Sequence, residues 1–382
     1  MQRTQRSIVQ ALAAVALMAG AAAGQAPAAP GSPAVVAPVV APVAAPVAGA
    51  ATGTLIVLNK AAASASLIDL AVGKEVARVA TGVGPHEVIV SPDGATAVVA
   101  DYGDATPGST LTVFDVAAAR VLKTISLLPH RRPHGIMWLG EEARVAVTSE
   151  TSNALLLVDL DAGVVDAVIK TNQEASHMVA LAPACDLAYT ANIGSGTISV
   201  LDLVAGSSLG DVQTGAGCEG IDVTPDGAFV WTANRAADTV SVVEALNRRV
   251  VATLPCASFP IRAKVTPDGR QVLVSCAKSG DVALFDTAER TLLARIATSL
   301  PQPSAAGDQT TLGGEFAGSS VPIGILVHPD GKLAYVAHGN ADAVSILDLA
   351  ARAQVGTLAT GKGPDGLGWS ALAVTTKSTT DG

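Results

Sequence analysis

Residues 84–94 read GPHEVIVSPDG. An apolar run lies between a Gly-Pro-His entry and a Pro-Asp-Gly exit, the pattern of a short, partly buried strand that ends in a tight turn. The exit returns as Pro225-Asp226-Gly227, Pro267-Asp268-Gly269 and Pro329-Asp330-Gly331. After each comes a short strand: AVVAD at 97–101, FVWTAN at 229–234, VLVSC at 272–276 and LAYVAH at 333–338. A further strand ending near Asp follows (LTVFDV, LLLVDL, ISVLDL, VALFDT, VSILDL), then a third apolar strand and a Gly-rich turn. Such internal repetition decides the architecture before any single element does.

Aligning the strand that precedes Pro-Asp-Gly puts His86, His134, His177, Glu219, Ile261, Ile323 and Asp365 in register, with separations of 48, 43, 42, 42, 62 and 42. Seven units of four short strands predict an all-β, seven-bladed β-propeller of four-stranded antiparallel blades. Residues 54–81 supply three strands, and 365–374 supply one with no successor. The C-terminal strand is therefore expected to pair with the N-terminal three and close the ring. The loops at 139–142 and 183–186 lack Pro-Asp-Gly and are expected to differ from the rest.

Tyr189-Thr190-Ala191-Asn192, Trp231-Thr232-Ala233-Asn234 and Tyr335-Val336-Ala337-His338 each precede a strand of the Val-Ser-Val/Leu-Asp type. In these residues, over roughly 53–374, the chain resembles the YVTN-repeat (YncE-like) seven-bladed β-propellers. The resemblance implies the fold. It implies no activity, because propellers carry many unrelated ones.

The segments outside the repeats have their own chemistry. Residues 1–24 have a basic start (Arg3, Arg6), an Ala/Leu/Val stretch and small residues before Gln25, as a secretory signal does. Residues 25–52 form a Pro/Ala/Val-rich linker suited to extended conformations, and 375–382 form a short tail. A periplasmic or secreted location is expected, with no membrane segment after signal removal. The chain carries 24 Lys+Arg against 33 Asp+Glu, a net charge of −9, which argues against general binding to nucleic acid. Nothing in it calls for an oligomer, so a monomer is expected.

In a propeller the aligned position lies where the chain enters the innermost strand, at one mouth of the central channel. Five adjacent blades would thus present Asp365, His86, His134, His177 and Glu219, and two would present isoleucine. Imidazoles flanked by carboxylates suit copper or zinc, with iron a weaker candidate. The competing reading is that Pro-His simply starts a strand and each ring bonds nearby backbone. Along the ends of the second strands run Asn59, Asp101, Ser149, Asn192, Asn234, Cys276 and His338, mostly small polar residues with a capping role. His338, with Arg131 and Arg132 of the segment LLPHRRPHG, is a candidate outer partner of the site.

Two features stand apart from the repeat. The insertion at 301–321, with Asp308, Glu315 and Phe316, has the length of a binding loop or of a disordered segment. Among the cysteines, Cys256 could pair with Cys276 or Cys218, Cys218 could instead bind metal, and Cys185 reads as a small buried residue; sequence does not fix the connectivity. There is no Cys-x-x-Cys-His signature for covalent haem; noncovalent haem at a mouth histidine is an analogy only.

The leading expectation is an exported ligand-binding propeller that holds a transition metal through His86, His134 and His177 beside Glu219 and Asp365. An alternative is a metal-assisted, lactonase-like hydrolase or oxidoreductase with Glu219 as base. A lactonase-type calcium set of Glu219, Asn192, Asn234 and Asp365 is the weaker version of it. A third is a protein-interaction scaffold with structural histidines. The residues lean towards binding and leave catalysis open.

Overall fold

The computed structural model describes residues 51–298, 300, 316 and 318–375. Residues 1–50, where the signal and most of the linker are expected, Asp308 and Glu315 of the insertion, and residues 376–382 lie outside the described residues.

Among the described residues, twenty-eight strands form seven antiparallel sheets of four. Blade one contains β1 (Thr54–Asn59), β2 (Ser64–Asp69) and β3 (Lys74–Ala80), with β28 (Pro364–Ser370) as its innermost strand. β28 runs antiparallel to β1, pairing Thr54 with Ser370 and Val57 with Leu367. The ring therefore closes as the repeat predicts. The innermost strands of blades two to seven are β4 (Pro85–Val90), β8 (Pro133–Trp138), β12 (Ser176–Leu181), β16 (Cys218–Val223), β20 (Pro260–Val265) and β24 (Pro322–Val327). Each touches the next around the axis, and β24 meets β28.

The core is divided among the seams between blades. Leu111, Val113, Ile136 and Val147 fill the seam of blades two and three, while Trp231, Val242, Val274 and Phe285 fill that of five and six. Because both faces of every blade pack against neighbours, the middle strands are buried throughout, which is why LLLVD at 155–159 is continuously apolar before its Asp.

The Pro-Asp-Gly turns form for an identifiable reason. In three of the four, the residue before Pro donates its hydroxyl to the Asp carboxylate (Ser91–Asp93 2.5 Å, Thr224–Asp226 2.6 Å, Thr266–Asp268 2.6 Å), and in the fourth His328 Nδ1 stands 2.9 Å from Asp330. The same carboxylate accepts the amide two residues on, and Gly227 takes the left-handed conformation at φ 71°. The loop at 183–186 differs less than expected, since Cys185 holds the glycine's place at φ 54° and is half-buried. At 139–142 the turn does change, with the Arg144 amide bonding the Glu142 carbonyl. Among the described residues no helix is long and apolar enough to cross a membrane.

Candidate functional site

Every innermost strand breaks register near its first residues: between Pro85 and Glu87, Pro133 and Ile136, Ser176 and Met178, and at the equivalent places in the other four blades. A bulge frees one residue from the ladder and re-aims its side chain. Where proline leads the strand it removes an amide that the broken ladder does not need. The freed residues are the aligned ones, His86, His134, His177, Glu219, Ile261, Ile323 and Asp365.

The three imidazoles form one cluster. Ring centroids are 5.0 Å apart for His86 and His134 and 3.5 Å for His134 and His177, and Tyr102 stands 4.2 Å from His86. His86 Nδ1 donates to the Gly84 carbonyl at 2.8 Å, which leaves Nε2 as its basic nitrogen, 4.0 Å from Asp365 Oδ2. Lys60 bonds that same oxygen at 2.9 Å, whereas Asp365 Oδ1 is buried without a partner. His134 is 1% exposed and its Nδ1 also lacks a partner. His177 is different: Nδ1 hydrogen-bonds Glu150, and Nε2 lies 3.3 Å from Glu219 without good alignment.

A second layer closes the channel beneath the rings. Arg262 reaches from blade six to Glu219 in blade five (2.8 Å) and across the lumen to Glu87 in blade two (2.9 Å). It can do so because this level holds Gly135, Gly220, Gly324 and Gly366, where a Cβ would strike the neighbouring strand; at Gly220 it would come within 2.5 Å of the Arg262 Cα. With glycine at four of seven positions, the strands close in and one long side chain fills the centre. On the other side of Arg262 and Glu87 lies a separate cavity of 270 Å³ lined by Ile89, Met137, Met178, Leu326 and Trp369.

Burial and charge set the protonation states. Burial pushes His86 down to about 3 and His134 well below the usual histidine range, so both are neutral bases. Burial also opposes charge on His177, but the hydrogen bond from its ring to Glu150 and the nearby Glu219 outweigh it, raising that histidine. Desolvation works against the Glu219 carboxylate too, yet His177, Arg235 (2.5 Å) and Arg262 hold it far below the usual range. His177 is thus the ring of the three whose charged form is favoured, between two carboxylates.

Sequence alignment one residue further would have found the partners of this arc. After the row Asn59, Asp101, Ser149, Asn234 come Lys60, Tyr102, Glu150 and Arg235, and each touches an aligned residue. In blades six and seven the same step gives Ala277 and Gly339, facing Ile261 and Ile323. There Phe259, Phe316 and Val321 pack over the isoleucines, so the insertion ends in an apolar cover for the non-ionic third of the mouth.

The row itself stays inside the blades. Asn59 donates to Ser64 and Ser66, Asn192 to Thr197 and Ser199, and Asn234 to Thr239 and Ser241. The Asn192 and Asn234 amide nitrogens are thus committed within their own blades, and Asn192 Oδ1 accepts from Ser176. His338 belongs to this row: its nitrogens meet Ser320 and Ser345, both at 2.9 Å, and it lies apart from the three mouth imidazoles. Arg132 covers the Tyr102 ring at 4.5 Å and so backs the site indirectly, while Arg131 points to the Pro107 carbonyl on the surface.

Burial lowers His338 to about 3, against 6.5 for a free histidine. A histidine lowered on folding carries no penalty above 6.5 and destabilises the fold increasingly as pH falls towards 3. The sign for the raised His177 is opposite: its contribution is full below 6.5 and fades as pH rises through its folded value. His338→Asn should keep the hydroxyl bond that Asn192 and Asn234 make in the same row and remove the titration. Melting temperature against pH from 7 to 4 should therefore fall less steeply in this variant than in the wild type; parallel curves would refute the assignment.

The donor chemistry suits a transition metal in part. His86 Nε2, His134 Nδ1 and Asp365 Oδ1 are available, and the backbone bond that fixes the His86 tautomer is of the kind that orients metal ligands. His177 does not fit as a ligand, because both its nitrogens face carboxylates. Among the described residues no three His, Cys, Asp or Glu side chains are grouped closely enough to form a ready cage.

Residues 188–306 match the family model described as Lactonase, 7-bladed beta-propeller. No curated protein matches the chain. Among solved structures, Kuenenia stuttgartiensis hydrazine synthase is similar at 20% identity and TM-score 0.62, over 75% of this chain and 90% of that one. A functionally unknown protein from Desulfotomaculum acetoxidans DSM 771 is similar at 13% identity and TM-score 0.68, over 84% and 100%. At these identities the two structures establish the propeller fold alone.

Proposed function

We propose that the protein is an exported ligand-binding propeller whose ligand is a transition-metal ion, Cu²⁺ or Zn²⁺, held at the histidine mouth by His86, His134 and Asp365. The observation that carries this reading is His134, a buried, neutral ring with an unpartnered nitrogen between two other histidines. A buried polar atom without a partner costs about 1–3 kcal/mol, and a ligand would relieve that cost. Gly84 orients His86, while Glu150 and Glu219 keep the His177 proton in place behind it. Arg262 and Glu87 seal the floor, and Asp365 would offer the ion its unpartnered Oδ1 while Lys60 bonds Oδ2. When bound, the ion would supply a Lewis-acid centre.

Titration calorimetry of the purified full chain with Zn²⁺ and with Cu²⁺ tests this. One saturable site is expected, weakened by about 10-fold or more in both His86→Ala and His134→Ala, since a lost ligand should matter at least as much as a lost supporting contact. His177→Gln should retain the site. If the wild type takes up neither metal, the histidines are structural and the interaction-scaffold reading replaces this one.

The family match favours one second reading, a lactonase-like hydrolase at the same mouth. Glu219 would be a poor base there, because Arg235 and Arg262 engage its two oxygens and lower its affinity for a proton. Hydrolysis of a lactone panel that survives Glu219→Gln but not His134→Ala would support that reading with His134 as the base.

A further inference from the structure

We propose that Cys256 and Cys276 are a disulfide-forming pair that staples blade five to blade six. Cys256 follows β19 (Arg249–Pro255), the outermost strand of blade five, and Cys276 ends β21 (Gln271–Cys276), the second strand of blade six. The two sulfurs lie 3.7 Å apart as free thiols inside the apolar seam shared by these blades. The sequence left the connectivity open between Cys218, Cys256 and Cys276. Tertiary structure separates them: Cys218 bonds the Thr232 hydroxyl at 3.0 Å in a different seam, and Cys185 lies on the 183–186 turn.

The chemistry is thiol–disulfide exchange with a small-molecule or protein disulfide as oxidant. The Cys276 thiolate attacks one sulfur of the incoming disulfide, forming a mixed disulfide and expelling a thiolate. Cys256 then loses its proton and attacks Cys276 Sγ, expelling the second thiolate. Two cysteines are oxidised, the incoming disulfide is reduced to two thiols, and the protons from the cysteines end on those thiols. With Cys256 as the donor in the contact between the two sulfurs, that hydrogen bond lowers Cys276, and it, with burial, raises Cys256, which orders the two steps. Because the two residues are 0% and 1% exposed, exchange occurs before the seam packs or when it opens.

The test uses the full chain purified without reductant, equilibrated with excess oxidised glutathione, denatured in an alkylating agent and weighed intact. Two alkyl groups are expected on the four cysteines, rising to four after reduction. Peptide mapping should recover a cross-link between Cys256 and Cys276, and Cys256→Ser should show no such cross-link. Four alkyl groups without reduction, or a cross-link through Cys185 or Cys218, would overturn the assignment.

Discussion

Ending the chain at Pro364 is expected to abolish the cooperative unfolding transition, leaving a protein that protease cuts throughout the propeller. β28 is the innermost strand of blade one, and without it β1 presents an open ladder to the channel. Its Leu367 and Trp369 pack with Leu55, Val57, Tyr335 and Ile346 in the seam of blades seven and one. Asp365 also supplies the partner of Lys60. One strand thus supports a seam and the mouth, and its loss removes closure from a fold with only about 5–15 kcal/mol to lose. Far-ultraviolet circular dichroism during thermal melting reads the result. Adding a peptide of residues 364–375 should restore a transition. A truncated chain that melts like the wild type would mean that the ring does not depend on this closure.

Replacing Arg262 should give the largest effect of any single substitution at the site. The side chain is 7% exposed and holds Glu87 and Glu219 from opposite sides of the channel. Removing one member of a buried ion pair leaves an uncompensated charge, at a cost of about 3–5 kcal/mol. Arg262→Ala is therefore expected to lower the urea midpoint by that equivalent. Glu219 retains Arg235, so Glu87 is the more exposed to the loss. The double variant Glu87→Gln/Arg262→Ala should accordingly recover part of the stability. Arg262→Lys should fall between, because an ammonium cannot present the planar fork that meets two carboxylates. A change below about 0.5 kcal/mol for Arg262→Ala, the range of an ordinary surface substitution, would show that the bolt across the channel carries no stability.

How much was legible differs between fold and site. The period near 42, the recurring Pro-Asp-Gly and the strand left without a successor are all local patterns, and the structure has the seven blades and closure they require. The aligned residues are also found at one position of the fold, on the bulges that begin the innermost strands. Their separate chemistry was not legible. His86, His134 and His177 look equivalent in the repeat, yet Glu150 and Glu219 favour the charged form of His177 while burial favours the neutral form of the other two. That difference depends on which side chain of the next blade reaches which ring, and Glu150 of blade three meets His177 of blade four.

What the sequence by itself determined is therefore everything that repeats: the number of blades, the Pro-Asp-Gly turn that ends four of the innermost strands, the arc of ionisable residues and the closing strand. Turn chemistry and strand alternation act over a few residues, so the chain spells them out locally. Only the tertiary structure decided what crosses between blades. It paired Arg262 with Glu87, 175 positions away, brought Cys256 against Cys276 rather than Cys218, and kept His338 within its own blade's capping row. These contacts depend on the channel radius and on how each blade packs against the next. Glycine at four positions of one layer sets part of that radius, and its effect appears only once seven strands surround a common axis.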